Sequence, residues 1–285
     1  MPVSIKLKDN RYGKSRVRLV KVERGSAGND LKDLSVDIQL SGDFEASYTA
    51  GDNRLVIPTD TMKNTVYALA RQAPLLEIEE FGLRLADHFL KRHAHVARAR
   101  ISISENLWKR IEHDGRQHAY SFQLSGPERR TASIDRDRKS ISIAAGIADL
   151  VVLKTKNSAF EGFLRDEYTT LKETNDRLFG TAVTAEWSYN KTSLKFGDLW
   201  ESIRDTMLET FANHDSRGVQ HTLSAMGEFV LKRFDAVREI HLSMPNRHCL
   251  LVDLSPFHLD NPNEVFVPTD EPHGLIEATL TRSGS

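Results

Sequence analysis

A helix pattern followed by a strand pattern occurs twice in this chain, and this repeat constrains the fold more than any other feature. The segment with Leu90-Lys91-Arg92, Val96 and Ser102 recurs as Leu231-Lys232-Arg233, Val237 and Ser243 at one constant offset. In both copies, apolar residues spaced by three or four lead into apolar residues spaced by two. Such self-similarity indicates a repeated supersecondary unit. The sequence therefore predicts two related domains, 1–140 and 141–285.

Three amphipathic helices are predicted from apolar residues that fall on one helical face. These faces are Ile78, Phe81, Leu85 and Phe89 in the first copy, Val219, Leu223, Met226 and Val230 in the second, and Leu199, Ile203, Met207 and Phe211 in a helix before the second copy. Each apolar face needs a sheet to pack against. Asp198 with Glu201 resembles a capping box, and Ser216 is the predicted N-cap of the helix that follows it.

Strands are predicted where apolar and polar residues alternate, as they do in Val17–Leu19, Leu34–Leu40 and Ser133–Ile143. A charged turn is predicted within the last stretch, at Asp135–Arg138. The combination of such strands with amphipathic helices predicts an α+β fold with antiparallel sheets. Long strands leave exposed edges, which soluble proteins commonly pair with another subunit, so we expect an oligomer.

Composition argues against several classes of partner. The chain has 39 Lys and Arg residues against 40 Asp and Glu residues, so no overall positive field attracts nucleic acid. The longest apolar stretch, from Ile141 to Leu153, contains polar residues and is shorter than the ~20 residues of a membrane-spanning helix. The single cysteine, Cys249, cannot form an internal disulfide, and no secretory leader follows Met1. The chain also ends without a Ser-Lys-Leu-type peroxisomal signal. We therefore expect a cytoplasmic protein with no nucleic-acid or membrane partner.

Three short motifs carry the strongest functional signal. They are Tyr12-Gly13-Lys14, Pro58-Thr59-Asp60-Thr61-Met62-Lys63-Asn64-Thr65 and Pro245-Asn246-Arg247-His248. Four further segments accompany them in order along the chain: Asp43–Ala46, Asp166–Leu171, Asp176-Arg177 and Asp260–Phe266. The ordered set resembles the urate oxidase (uricase) family of cofactor-independent oxidases over nearly the whole chain. The lack of a peroxisomal signal suggests a bacterial type or a shortened C-terminus.

The resemblance implies a fold, a reaction and an assembly. Urate oxidases have tandem tunnelling-fold (T-fold) domains, each an antiparallel sheet with a helix pair on one face. Their strands join across subunits into a barrel, and the homotetramer has its active sites at subunit interfaces. Urate, dioxygen and water become 5-hydroxyisourate and hydrogen peroxide. Urate and dioxygen are therefore the expected ligands.

The resemblance also implies a set of substrate-binding side chains suited to a flat heterocycle with imide-like edges. Arg177 matches the arginine that donates two parallel hydrogen bonds to one substrate edge, a geometry that lysine lacks. Gln220 matches the glutamine that faces the arginine across the purine, and Val219 matches the neighbouring backbone contact. Phe160 matches the ring that stacks on the purine face.

Proton handling falls, by the same resemblance, on Lys14, Thr59 and His248. Urate must lose a second proton before it reduces dioxygen, and burial brings the pKa of a lysine towards the range of a useful base. Thr59 is then the relay hydroxyl, and His248 shuttles the proton because histidine titrates nearest neutrality. Thr59 and Asp60 bind the substrate from a neighbouring subunit, while Thr59 and Asn246 hold dioxygen above the ring.

No metal or organic cofactor is expected. His93 and His95 are two residues apart, and His113 and His118 flank Gly115, but neither pair has the Cys or carboxylate partners of a zinc site. The sequence contains no dinucleotide fingerprint or phosphate loop, which fits an oxidase whose substrate is itself the electron donor. Two alternatives remain open: a T-fold pterin-type aldolase or cyclohydrolase, and a purine-binding T-fold protein without catalysis.

Overall fold

The protein divides into two compact units. A computed structural model describes residue 3 and residues 5–282. The first unit contains the chain up to Ala145 together with Lys191–Gly197, and the second contains Gly146–Asn190 and the chain from Asp198 onward. Both units are built from antiparallel strands with helices packed on them, which confirms the predicted α+β class.

The first unit is a meander of strands with its helices inserted between the second and third. Its elements are β1 (Tyr12–Arg24), β2 (Asn29–Gly42), α1 (Glu45–Thr49), α2 (Thr59–Gln72), α3 (Ile78–Arg92), β3 (Val96–His113) and β4 (Arg116–Asp137). The strands lie in the order β1-β2-β3-β4, and each neighbouring pair is antiparallel. The helix α2 contacts β1, and α3 contacts both β3 and β4.

The core of the first unit lies between its sheet and its helices. Every second residue from Leu34 to Leu40 is fully buried, as expected for a strand with one covered face. The predicted face of α3 is also buried, at Ile78, Phe81, Leu85 and Phe89, so this helix is confirmed. Burial of each of these apolar side chains stabilises the fold by about 1.5–3 kcal/mol. The apolar face of α3 and the apolar face of the sheet are therefore held against the same core.

The second unit repeats the order of strands and helices. Its elements are β5 (Ile141–Lys154) from Gly146 onward, β6 (Phe179–Tyr189), α4 (Phe196–Asn213) from Asp198 onward, α5 (Val219–Arg233), β7 (Val237–Leu251), a 3-10 turn (Ser255–Phe257) and β8 (Phe266–Thr281). The strands lie in the order β5-β6-β7-β8, and α5 contacts β7 and β8. The two predicted helices of this half are confirmed by α4 and α5. None of the helices formed by residues 5–282 is long and apolar enough to cross a membrane.

The repeat extends to the way in which α3 and α5 end. The last turn is closed by a backbone bond from His93 to Phe89 in α3 (3.1 Å) and from Phe234 to Val230 in α5 (3.0 Å). An arginine directly after the final strand of each unit donates to carbonyl oxygens at that helix end and in the connection to the next strand: Arg138 to Leu90, His93, Ala94 and Val96, and Arg282 to Leu231, Phe234 and Val237. These arginines satisfy carbonyls that a helix leaves unpaired and complement its dipole.

The charged turn was predicted too early in the chain. The strand β4 continues through Asp137, and the turn lies at residues 138–140. The carboxylate of Asp135 forms ion pairs with Arg98 and Arg100 of the neighbouring strand β3. Because those cross-strand pairs satisfy the acidic side chain within the sheet, the charge run does not interrupt the strand.

Both predicted helix caps are also wrong. The helix α4 begins at Phe196, so Asp198 lies inside its first turn, where a negative charge still favours the helix dipole. The N-cap of α5 is Gly218, with no side-chain cap. The hydroxyl of Ser216 instead donates to the carbonyl oxygen of Gly218 (3.1 Å), which braces the turn before the helix.

Candidate active site

Lys14 lies on β1, directly after a very close approach of β1 to β2. A Cβ at Gly13 would be 1.7 Å from the carbonyl oxygen of Ile38, so no side chain fits there. Lys14 pairs with Ile38, and the regular register then breaks between Lys14 and Val17, with Arg16 at a φ of 56°. Bulges of this kind redirect side chains at the rim of a sheet. The half-buried Lys14 is therefore the last residue of β1 before this irregularity.

Thr59 and Asp60 form the start of α2, and both are exposed. Pro58 precedes them as the N-cap residue, at a φ of −54°. The Asp60 carboxylate bonds to Lys63 and accepts from Asn64 Nδ2 (3.0 Å). The hydrogen bond from Lys63 lowers the pKa of Asp60, and the positive charge of Lys14 lowers it further. Lys14 is thus close enough to the start of α2 for its charge to act on Asp60, the residue after Thr59.

Arg177 and Phe160 lie side by side in the second unit. The Arg177 N–H donates to the carbonyl oxygen of Ser158 (2.8 Å), and the Phe160 N–H donates to that of Thr174 (2.8 Å). These bonds hold the Arg177 Cζ atom 5.1 Å from the centroid of the Phe160 ring. The Nε atom of Arg177 is buried without a protein partner, and burial lowers the pKa of this guanidinium. An unpaired buried donor costs about 1–3 kcal/mol, so an acceptor atom of a ligand bound at this position would stabilise it.

Val219 and Gln220 are the first two residues of α5, next to the same ring. A Cβ at Gly218 would be 3.6 Å from Phe160 Cδ2 and 3.5 Å from Gln220 Oε1, so the ring and the amide meet beside this glycine. Gln220 is exposed, whereas Val219 is buried. The first amide N–H groups of a helix have no intrahelical acceptor and are available to an electronegative ligand atom.

Asn246 and His248 lie two residues apart on β7, and the pairing of β7 with β8 shifts between them. Leu242, Met244 and Asn246 alternate along one face of the strand, and the first two of these side chains are buried. Asn246 is opposite Thr181 of β6 and Gly274 of β8, whereas His248 is opposite Thr269. Both side chains are half-buried, so the face changes from core to accessible surface at Asn246.

The histidines considered as possible metal ligands lie close to other polar side chains. The rings of His93 and His95 are 5.8 Å apart, and His113 is beside Asp114. Among residue 3 and residues 5–282, no three His, Cys, Asp or Glu side chains are arranged to hold a metal ion.

One residue that sequence reasoning did not single out is Phe163. Its ring is stacked on that of Phe160, with 5.0 Å between centroids and 12° between planes. One face of Phe160 is therefore covered by Phe163, and the guanidinium of Arg177 also lies over this ring. The two phenylalanines are three residues apart, which is a weak signal in a loop.

The fold and these side chains define a class of protein. The second unit brings a partly buried guanidinium, an amide and an aromatic ring together, and the first unit places a lysine near the start of the helix that begins at Thr59. Groups of these types are those that an oxidase or another enzyme of heterocycle metabolism uses to bind a flat, hydrogen-bonding ring and to transfer protons.

Comparisons with known proteins identify the family. The uricase family model matches residues 10–135 and 143–277. The uricase of Arthrobacter globiformis is 46% identical over 279 residues, which cover 98% of this chain and 91% of that protein. The uricase of Dictyostelium discoideum is 40% identical over 280 residues, covering 97% of this chain and 98% of that protein. The chain belongs to the uricase family, which confirms the resemblance seen in its motifs.

Solved structures give the same result for the fold. The crystal structure of the Arthrobacter globiformis uricase has a TM-score of 0.94 at 46% identity, covering 99% of this chain and 97% of that chain. The crystal structure of the urate oxidase of Bacillus sp. TB-90 has a TM-score of 0.85 at 25% identity, covering 96% of this chain and 100% of that chain. The predicted tandem T-fold architecture is therefore confirmed at the level of the fold.

Proposed function

We propose that this protein is a urate oxidase that converts urate, dioxygen and water into 5-hydroxyisourate and hydrogen peroxide without a metal or organic cofactor. The observation that carries the proposal is the buried, unpaired Nε of Arg177 beside the Phe160 ring in a chain of the uricase family. A planar donor next to an aromatic face is what an anionic purine requires.

The second unit supplies the substrate clamp in this proposal. Arg177 donates two parallel hydrogen bonds to one edge of urate, and Gln220 pairs with the facing edge through its amide. Phe160 stacks on the purine, and the Val219 N–H contacts an electronegative substrate atom. The proposal is supported by the proximity of the clamp residues: Arg177 lies next to Phe160, and Phe160 lies close to Gly218, directly before Val219 and Gln220.

The first unit supplies the base. Lys14, through the hydroxyl of Thr59, removes a proton from bound urate, and the resulting dianion gives two electrons to dioxygen. Thr59 and Asn246 hold dioxygen, and later the water that adds its hydroxyl to the oxidised ring. His248 passes the released proton onward, and the reduced dioxygen leaves as hydrogen peroxide.

The assembly is a homotetramer in which Lys14, Thr59 and Asp60 of one subunit complete the clamp of another. Its two T-fold domains per chain correspond to residues 1–140 and 141–285, and strands of neighbouring subunits join into a barrel. Exposed apolar side chains on β7 and β8 support such burial between subunits: Leu250, Leu251, Val267 and Leu275. We place the protein in the cytoplasm, since its only cysteine is free.

The direct test follows urate absorbance and oxygen uptake together, with and without a strong chelator. Loss of one urate per dioxygen consumed, with peroxide formed and no effect of the chelator, is the expected result. Loss of both signals on chelation would assign the chemistry to a metal. Urate binding without oxygen uptake would support the non-catalytic purine-binding alternative.

A further inference from the structure

The hydroxyl of Tyr12 joins the two segments of the first unit that carry Lys14 and Thr59. It donates to the carbonyl oxygen of Ile57 (3.2 Å) and accepts from the N–H of the same residue (2.8 Å). Tyr12 is two residues before Lys14 on β1, and Ile57 is two residues before Thr59 at the start of α2. One side chain therefore satisfies both backbone groups of Ile57 and ties them to the strand of the lysine.

The phenol is held firmly in this position. Its ring contacts the buried ring of Phe44 edge to face, with 4.7 Å between centroids and 84° between planes. Burial raises the pKa of Tyr12, although the hydrogen bond with Ile57 opposes the shift. The hydroxyl is thus protonated at neutral pH and can donate and accept at once.

The connection from Ile57 to Thr59 is stiff. Ile57 is buried, and Pro58 between the two residues has its φ fixed by the ring. A displacement of Ile57 is therefore passed to the first residue of α2. On the other side, the absence of a side chain at Gly13 lets β1 lie against Ile38, which fixes Lys14.

We propose that Tyr12 is a positioning residue that sets the distance between the Lys14 ammonium and the Thr59 hydroxyl. The inference rests on the proposed function, because that distance matters only if the two groups exchange a proton. A displacement of about 1 Å in such a pair can cost up to 10²-fold in rate. Tyr12 touches neither substrate nor reacting atoms in this role.

The test is Tyr12→Phe, which deletes a single oxygen. We expect kcat to fall by about 10-fold to 10²-fold, while KM and anaerobic urate binding change by roughly twofold or less, because the clamp of the second unit is untouched. Tyr48→Phe is the matched control, since the Tyr48 hydroxyl also donates to a backbone carbonyl on the first unit, that of Arg11 (3.2 Å). Its kcat should equal that of the wild type.

A readout independent of activity is amide hydrogen exchange. Tyr12→Phe should accelerate exchange at Ile57 and in the first turn of α2, and Tyr48→Phe should not. Wild-type kcat or unchanged exchange in a folded Tyr12→Phe protein overturns the proposal. Assays at reduced temperature with sucrose keep a destabilised variant folded. An inactive wild type would instead count against the proposed function, and the exchange measurement would still decide the role of Tyr12.

Discussion

The two units hold their proposed site residues in different ways. In the first unit, the end of β1 that carries Lys14 is joined to the segment before Thr59 through the Tyr12 hydroxyl, while Lys21 and Tyr67 link β1 to α2 farther along. In the second unit, the segment of Phe160 is paired through its backbone on both sides. Backbone bonds run from Ala159 to Ser216 (2.7 Å), from Ser216 to Asn157 (3.0 Å) and from Arg177 to Ser158 (2.8 Å).

This difference has a consequence for mutation. A ladder of backbone bonds survives the loss of one side chain, whereas a link made by one hydroxyl does not. Single side-chain changes in the first unit should therefore lower turnover, and those in the second should weaken binding while leaving the geometry of the remaining groups intact.

The largest effect is expected for Lys14→Met. Removal of the base should lower kcat by about 10²–10⁴, the usual scale for a positioned acid or base, while urate still binds through the second unit. Steady-state kinetics and anaerobic titration with urate measure the two quantities.

Lys21→Met is the control for Lys14→Met because Lys21 lies on the same strand. Its ammonium donates to the carbonyl oxygen of Ala70 at the far end of α2 (2.8 Å). This control should retain turnover and lose only thermal stability. Full activity in Lys14→Met would show that this lysine is not the base, and the first unit would then not be the one that sets turnover.

A smaller effect, on binding, is expected for Arg177→Lys. Lysine keeps the charge but cannot form two parallel bonds, and the loss of about 1.5–3 kcal/mol should raise the urate Kd by about 10-fold to 10²-fold. Calorimetric titration without oxygen measures this directly. Arg165→Lys is the control, since Arg165 also lies over a phenylalanine ring, that of Phe163 at 4.9 Å. An unchanged Kd in Arg177→Lys would mean that the guanidinium does not contact urate.

Much of the fold follows from local periodicity. The helix faces of α3 and α5 and the alternation in β2 repeat over enough residues for burial to decide the structure. The spacing of apolar residues predicts which side of a helix or strand is buried, and each of these three elements has one buried side. The motifs, in turn, located the proposed site residues because rare residue combinations occur in a fixed order.

The remaining features depend on partners that are distant in the sequence. The charged run at Asp135 stays in β4 because Arg98 and Arg100 face it from β3, which no local pattern shows. Likewise, the bond between Tyr12 and Ile57 joins a side chain to backbone groups, and backbone groups leave no trace in residue identity. The need for glycine at position 13 is apparent only when the pairing with Ile38 is known.

The smallest effect is expected for Thr222→Val, a change that preserves shape. The buried Thr222 hydroxyl donates to Ser216 Oγ (2.8 Å) and is also hydrogen-bonded to His214 Nδ1 (3.2 Å). Ser216 Oγ in turn donates to the carbonyl oxygen of Gly218 (3.1 Å), before the residue Gln220 of the clamp. Each neutral hydrogen bond lost costs about 0.5–1.5 kcal/mol, and only the bond to Ser216 braces the turn before Gln220, so the urate Kd should rise by roughly 2-fold to 10-fold with kcat unchanged. Thr210→Val is the control, because that hydroxyl donates within α4 to Thr206 (2.8 Å).

Comparing the kinetic effects of Tyr12→Phe and Thr222→Val then tests whether the two units hold their site residues in different ways. The Tyr12 and Thr222 hydroxyls each make a hydrogen bond that braces a segment next to a proposed site residue. If backbone hydrogen bonds hold Phe160 and Arg177 in place in the second unit, Thr222→Val should raise the urate Kd only slightly, whereas Tyr12→Phe should lower kcat strongly. Equal losses of kcat in the two variants would show that the backbone hydrogen bonds alone do not hold Phe160 and Arg177, because side-chain hydrogen bonds would then determine turnover in both units.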